Sequence, residues 1–538
     1  EGPTAVDDVY IARKGETLVI PALAGVIQND TDPNGDALDA TLLSDPTLGT
    51  IDSFNADGSF SYAVDEPEGI TIGLELKCES DIAAFGTSAG TASAADVDGD
   101  GHVELVGFSN TVLRSGVFIL DPVDCSAIVN PIPEAVGQPL QESVVTLVNI
   151  DDDPELEVVT QYWRFASPLP AGGPGAADNR LMAVNLDGSP VAAWSQSPPG
   201  VDPPAPPVGL SEAPSFSTGF NAEWKNASPV AADLDGDGNP ELLVGYSQVG
   251  SAGLPDGVCR AVVANTTCNA VVAWDGRTGR ILWEFVGGVT GPNQRSMTPT
   301  LVDLDLDGDT EIIWNQLVLD HEGNLLFELP VERTIFVAGF ELYGNTMLTV
   351  AIGNFDNDPF PEIVGYDATN FYLFSHDGAL QAPPRPYAGS GFDFPWVDLT
   401  LAELDGDPFP ELVTMLTGDG DSLLTARAFD SDLEPLWDIA DDYVVRAFAQ
   451  TRSSSLVAFD LDRDGIDELI QLRAPSASGD DGGNADAGLY VYDGATGSVI
   501  TSVKGPSVRR FPSNIFDEPL TVADIDGDGS AEIVTTFV

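Results

Sequence analysis

Apolar residues along this chain come in short runs, such as Leu242-Leu243-Val244, Ile312-Ile313-Trp314 and Ile533-Val534, separated by Asp, Asn, Gly and Pro. Helical spacing is hard to find. Runs this short, bounded by turn residues, predict β-strands. The 55 glycines and 40 prolines suit a protein with many turns. The expected fold class is therefore all-β, and 538 residues suffice for a large core and a second, smaller domain.

The polar segments between runs are not random. The clearest reads Asp233-Leu234-Asp235-Gly236-Asp237-Gly238-Asn239-Pro240-Glu241. Acids stand at positions 1, 3, 5 and 9, and a glycine at 6 can take positive φ, so a tight loop can turn several carboxylates toward one point. So many carboxylates at close range repel and raise each other's pKa unless a cation sits among them. An all-oxygen ligand set favours Ca2+ over Zn2+. Position 7 would contribute its main-chain carbonyl.

The phrase occurs eight times. At positions 1, 3, 5, 7 and 9 the copies carry Asp96, Asp98, Asp100, His102, Glu104; Asn149, Asp151, Asp153, Glu155, Glu157; Asp233, Asp235, Asp237, Asn239, Glu241; and Asp303, Asp305, Asp307, Asp309, Glu311. The other four carry Asn354, Asp356, Asp358, Phe360, Glu362; Glu403, Asp405, Asp407, Phe409, Glu411; Asp460, Asp462, Asp464, Ile466, Glu468; and Asp524, Asp526, Asp528, Ser530, Glu532. Position 9 is always glutamate, and positions 3 and 5 are always aspartate. Eight such matches mark an internal repeat. Asparagine opens two copies, Glu403 opens one, and Pro154, Pro359 and Pro408 replace the position-6 glycine in three.

These loops, each followed by a short apolar strand, resemble the FG-GAP/VCBS repeats of integrin-like calcium-binding β-propellers, over roughly residues 70–538. A second unit alternates with them, a hairpin around an Asp-Gly-type turn. It is clearest at 273–283 and 491–497, and weaker at 118–128, 184–194, 318–327, 374–380 and 428–437. Two strands around each loop and two around each hairpin make a four-stranded blade. Eight loops with seven following hairpins favour eight blades, with seven as the alternative. The strand at 70–76 is expected to join the eighth.

Residues 1–68 differ. Gly15-Glu16-Thr17-Leu18-Val19-Ile20, the acidic turn Asp30, Asp32, Asp36, and Asn55-Ala56-Asp57-Gly58-Ser59-Phe60-Ser61-Tyr62 resemble the cadherin-like, immunoglobulin-type modules of bacterial surface proteins. That resemblance implies a small Ig-like β-sandwich. After Tyr62 its usual last strand is not evident, so the sandwich is expected to be partial, with an edge that another molecule could fill by strand donation.

A net charge of -65 and a pI near 4.1 exclude nucleic acid and anionic membrane surfaces as natural partners. The sequence holds no apolar stretch of about 18 residues able to insert in a bilayer, and any leader is expected to be gone before Glu1. Cys78, Cys125, Cys259 and Cys268 lack C-x-x-C spacing. Cys259 with Cys268, and Cys78 with Cys125, is one disulfide pairing they allow. Disulfides and calcium together point to an extracellular or cell-surface protein.

Catalytic groups are sparse. His102, His321 and His376 fall in loops or turns, and the G-x-S-x-G match at 86–90 lacks a strand-turn-helix setting. Trp194, Trp274, Trp283 and Trp437 could be sugar platforms, although aromatics locked to a repeat usually pack inside it. The expectation is a non-enzymatic, calcium-stabilised structural or adhesive protein whose partner is itself, another surface protein or a glycan. A carbohydrate-binding or carbohydrate-active role and cell-cell recognition stand as alternatives.

Overall fold

The computed structural model describes residues 17–63, 72–74, 89–97, 103–110, 115–121, 126–129, 146–165, 177–194, 209–214, 229–249, 267–290, 298–331, 336–337, 341–342, 348–386, 399–417, 424–438, 456–473, 488–504, 520–525 and 530–535, less 23–24, 32–33, 35–36, 43–49, 152, 188, 213 and 368–369. The described residues form small antiparallel β-sheets.

Each of the eight acidic loops joins two antiparallel strands, and in every pair the second strand begins at the position-9 glutamate. The pairs are Ala89–Ala95 with Glu104–Asn110, Thr146–Val148 with Glu157–Phe165, Val230–Ala232 with Glu241–Val249, and Thr300–Val302 with Glu311–Trp314. They continue as Thr349–Gly353 with Glu362–Tyr366, Leu399–Ala402 with Glu411–Thr417, Leu456–Phe459 with Glu468–Arg473, and Leu520–Ala523 with Glu532–Thr535. We number these sheets 1 to 8. The register is constant: the residue before the loop faces the glutamate, as in Ala232 opposite Glu241 and Gly353 opposite Glu362.

Sheets 1, 3, 4, 5, 6 and 7 add a hairpin and have four strands in chain order. In sheet 3 the added strands are Thr267–Asp275 and Ile281–Thr290, and in sheet 7 Gly488–Tyr492 and Val499–Lys504. Sheet 2 differs from the expected hairpin at 184–194. Its third strand, Ala177–Val184, makes only a single bridge to Pro190. Residues 209–211 then run beside it, with Ser211 N–H donating to the Leu181 carbonyl at 3.0 Å and Ala183 N–H to the Gly209 carbonyl at 2.8 Å. The fourth position is thus filled from beyond the Pro-rich insertion. A two-stranded ribbon, Phe336–Val337 with Glu341–Leu342, was not expected.

Successive sheets are joined face to face by apolar clusters, which explains why the second strands are continuously apolar rather than alternating. Leu242 faces Val159 and Leu181 of sheet 2, while its neighbour Leu243 faces Ile312 and Leu319 of sheet 4. The same division recurs at Ile312 and Ile313, Ile363 and Val364, Leu412 and Val413, and Leu469 and Ile470. Sheet 1 meets sheet 2 through Val106 and Val158. Ile525 and Val534 of sheet 8 pack against Leu105 and Leu120 of sheet 1. Each sheet therefore has an apolar neighbour on both faces. Their first strands lie side by side, those of sheets 5 to 8 and then 1 to 3 in succession.

Within the expected strand 70–76, Ile72 and Leu74 pack on the cluster between sheets 7 and 8, beside Leu489, Val491 and Leu520. Near the N-terminus, Thr17–Ile20, Phe60–Ala63 and Thr50–Phe54 make one three-stranded sheet with Phe60–Ala63 in the middle. The last strand expected to be missing from this module would fall at 64–71, outside the described residues. Cys78, Cys125 and Cys259 are also outside them, so the pairing considered above is not addressed; Cys268 lies in a strand of sheet 3.

Candidate metal centres

Each loop folds around its final glutamate. In all eight, one carboxylate oxygen of that residue accepts the main-chain N–H of position 2: Val97 to Glu104 at 3.0 Å, Ile150 to Glu157 at 2.8 Å, Leu234 to Glu241 at 2.9 Å and Leu304 to Glu311 at 2.8 Å. The remainder are Phe355 to Glu362 at 2.7 Å, Leu404 to Glu411 at 2.6 Å, Leu461 to Glu468 at 2.8 Å and Ile525 to Glu532 at 2.9 Å. Position 2 is an apolar anchor; Ile150, Leu234, Leu304, Leu404 and Ile525 are buried. The glutamate thus pins the loop to the core with one oxygen.

Aspartates 3 and 5 curl the chain by accepting N–H groups two residues on. Asp235 takes the Asp237 amide at 3.2 Å, and Asp237 takes that of Asn239 at 2.8 Å. Similar bonds form from Asp153 to Asp151, Asp358 to Asp356 and Asp407 to Asp405. Carboxylate oxygens converge as a result. One oxygen from each residue of Asp151, Asp153, Glu157, of Asp233, Asp235, Glu241, of Asp303, Asp305, Glu311, of Asp356, Asp358, Glu362 and of Glu403, Asp405, Glu411 lies within 4.8 Å of the others in its group.

Buried acid among acids is costly. Burial first, then the neighbouring aspartates, pushes the Glu157, Glu241 and Glu468 carboxyls up to about 7 and Glu411 up to about 8, against the opposing pull of the position-2 amide. Glu311 and Glu362 are raised by the same causes. Glu362 and Glu411 are fully buried, and Oε1 of each has no hydrogen-bond partner. An oxygen so placed fits a cation ligand: an ion would satisfy the orphaned acceptor and reverse the electrostatic penalty together.

Asp98, Asp100, His102, Asp526 and Asp528 lie outside the described residues. Of the remaining position-7 residues, Glu155, Asn239, Asp309, Phe360, Phe409 and Ile466 each donate a main-chain N–H to aspartate 5. Ser530 sits just before the second strand of sheet 8.

The loops are tied to the hairpin turns. Gly276 donates its N–H to the carbonyl of Pro240, at position 8 of loop 3, at 3.1 Å. A Cβ at Gly276 would lie 2.3 Å from that oxygen, and one at Gly494 would lie 1.9 Å from the equivalent oxygen of Asp467, which explains the glycine after aspartate in both turns. Loops also join each other: Leu156 N–H donates to the Val97 carbonyl, Thr310 to Leu234 and Asp467 to Glu403.

Sequence reasoning missed the partners of the tryptophans. The Trp194 indole N–H donates to the Gly276 carbonyl in the next sheet's turn at 2.7 Å, Trp283 to His321 at 2.9 Å and Trp437 to Gly494 at 3.0 Å. Each ring covers a positive-φ glycine of that turn: Trp194 on Gly279, Trp283 on Gly323 and Trp437 on Gly497, with Phe327 on Gly378 in the same manner. Trp274 is fully buried and bonds to the Glu212 carbonyl. A signal existed, since Trp283, Phe327 and Trp437 recur in the last strand of their sheets and a glycine recurs at the end of the turn.

Fold and site together define an all-β protein of repeated antiparallel sheets, several of which carry an acidic loop whose carboxylates could hold a metal ion. Residues 1–73 match the family model of a bacterial Ig domain. No curated protein matches the chain. Similar solved structures include the V. cholerae biofilm matrix protein Bap1, at 12% identity over 85% of this chain and 87% of that one, TM-score 0.47. The exotype rhamnogalacturonan lyase YesX is similar at 15% identity over 83% and 70%, TM-score 0.48. The rhamnogalacturonan lyase PL11 of Bacillus licheniformis is similar at 15% identity over 89% and 75%, TM-score 0.43.

Proposed function

We propose that the chain is a secreted or cell-surface, calcium-stabilised β-propeller of FG-GAP/VCBS type, residues 69–538, carrying a partial Ig-like module at 1–68. Its role is structural and adhesive, and we assign it no catalytic activity. One observation carries the reading: the same glutamate pin in all eight loops, with carboxylate oxygens converging beside it in loops 2 to 6. Eight sheets with apolar contacts on both faces, the eighth against the first, support a closed ring of eight blades over one of seven.

Calcium would be held by the acids at positions 3, 5 and 9, the side chain at position 1 and the position-7 carbonyl, and it supplies charge neutralisation and cross-linking of the loop. The chain's own residues do the rest. The position-2 anchor seats each loop in the core, the position-9 glutamate fixes its base, and the turn glycines join it to the neighbouring hairpin. The tryptophans considered as sugar platforms are occupied between sheets, which favours adhesion over glycan binding at those rings.

Thermal melting with calcium and with EDTA tests the metal; an unchanged melt refutes it. Electron microscopy of concentrated protein in millimolar calcium tests self-assembly through an open strand edge. A monodisperse monomer there overturns that part and points to a different surface protein as partner.

A further inference from the structure

Positions 1 and 6 of the loops vary together. In loops 3, 4 and 7 an aspartate at 1 is paired with a glycine at 6, and each glycine has positive φ: Gly238 at 88°, Gly308 at 99° and Gly465 at 88°. The pairing has a physical cause. The glycine N–H donates to Oδ2 of the opening aspartate, Gly238 to Asp233 at 2.8 Å, Gly308 to Asp303 at 3.0 Å and Gly465 to Asp460 at 2.9 Å. Oδ1 of each accepts the position-5 amide.

Proline at 6 forbids both features, since it has no N–H and its φ is fixed near -65°. An aspartate opposite it would lose a donor. In loops 2 and 5, Pro154 and Pro359 are accompanied by Asn149 and Asn354, whose amides reverse the bond and donate to the position-5 carbonyl, at 2.6 Å to Asp153 and 2.8 Å to Asp358. At positions 1, 3, 5 and 9 those loops keep three acids instead of four. Loop 6 has proline but retains a fourth carboxylate, Glu403, which accepts the Gly406 N–H. In loop 5 the Oε1 of Glu362 is still buried and unpartnered, and carboxylate oxygens of Asp356, Asp358 and Glu362 lie within 4.8 Å of one another.

We propose that the eight loops form two classes of calcium site: six with four carboxylates that stay filled, and two, loops 2 and 5, that bind about ten-fold more weakly or worse and fill last. Fewer charged ligands at a similar geometry lowers calcium affinity. Loops 2 and 5 would then exchange calcium near ambient concentration and make the stiffness of sheets 2 and 5 sensitive to it. This inference rests on the calcium reading above.

Isothermal titration of the calcium-stripped full chain tests it. The expected isotherm has two phases, with two of eight ions in the weaker one. The double variant Asn354→Asp with Pro359→Gly should move one ion from the weak to the tight phase, and Asp303→Asn with Gly308→Pro should move one the other way. Folding of each variant is checked by melting in saturating calcium; if one variant fails to fold, the other decides. A single phase for all ions, or variants that leave the partition unchanged, overturns the two classes while leaving calcium binding intact. Absence of any calcium heat or calcium-linked stabilisation overturns the calcium reading itself.

Discussion

The aromatic clasp between sheets 3 and 4 can be tested at a single atom. Gly323 has φ of 79°, and a Cβ there would lie 2.5 Å from Cδ2 and 2.6 Å from Cε3 of Trp283. The ring cannot swing away freely, because its N–H is held by the His321 carbonyl at 2.9 Å. Gly323→Ala therefore adds a left-handed backbone penalty of about 1–2 kcal/mol to an overpacking penalty of about 1–3 kcal/mol. Gly236 supplies the comparison: its φ is 71° and a Cβ would meet nothing within 4 Å, so Gly236→Ala carries the backbone penalty alone. Differential scanning fluorimetry and denaturant titration in saturating calcium should show the larger loss at Gly323. Adding Trp283→Phe should recover part of it, since the clashing ring shrinks, a non-additivity expected only of touching residues. Equal losses at Gly323 and Gly236 would refute a tight clasp.

Three further outcomes follow from the loops and the last sheet. In chelator, the melting temperature should fall as pH rises from about 5 to 8.5: Glu157, Glu241, Glu468 and Glu411 titrate higher in the folded chain than unfolded, so their contribution is present below the ordinary glutamate range and lost through about 7 to 8. Saturating calcium should flatten that slope, and an unchanged slope counts against the cups as the metal sites. Glu411→Gln keeps an acceptor for the Leu404 amide but removes the charge. It should stabilise the calcium-free protein and lose about 2.7 kcal/mol of calcium-linked stability at a hundred-fold excess over Kd; the same sign in both conditions would be inconsistent with a ligand role. Ile72→Asp with Leu74→Asp should destabilise sheets 7 and 8 selectively in hydrogen exchange, and uniform protection would remove 72–74 from the packing between those sheets.

The loops and their strand pairs were readable because the loop's own carboxylate-to-amide hydrogen bonds impose fixed spacing, and because a glutamate that must reach back to position 2 has to begin the next strand. Hairpins at Asp275-Gly276 and Asp493-Gly494 were readable for a similar reason: the aspartate caps the turn, with Thr278 and Thr496 N–H groups donating to it at 2.8 Å. The fourth position of sheet 2 was not, since residues 209–211 reach it only after the Pro-rich insertion and local pattern carries no trace of where a chain returns. Inter-sheet contacts were also hidden, because Trp283 and His321 are brought together by the stacking of sheets rather than by spacing along the chain.

The junction of sheets 5 and 6 shows how such contacts constrain sequence. Four turns place a glycine in the left-handed conformation beneath an aromatic ring of the preceding sheet. In the turn of sheet 6 that position is Leu433, with φ of 64° and its side chain buried among Tyr366, Phe371 and Phe429. Arg385, in the last strand of sheet 5, pairs there with Glu434 and Asp432. The knob has changed sides: the turn supplies the apolar side chain that the preceding strand lacks. A leucine in left-handed backbone costs about 1–2 kcal/mol, which its burial, at about 1.5–3 kcal/mol, offsets. Leu433→Gly should therefore destabilise the protein, even though glycine relieves the backbone, whereas Leu306→Gly, at φ of 59° with an exposed side chain, should not. Opposite responses at two residues with the same backbone would separate a packing role from a turn requirement. Stabilisation at both would mean that the junction of sheets 5 and 6 does not depend on the Leu433 side chain.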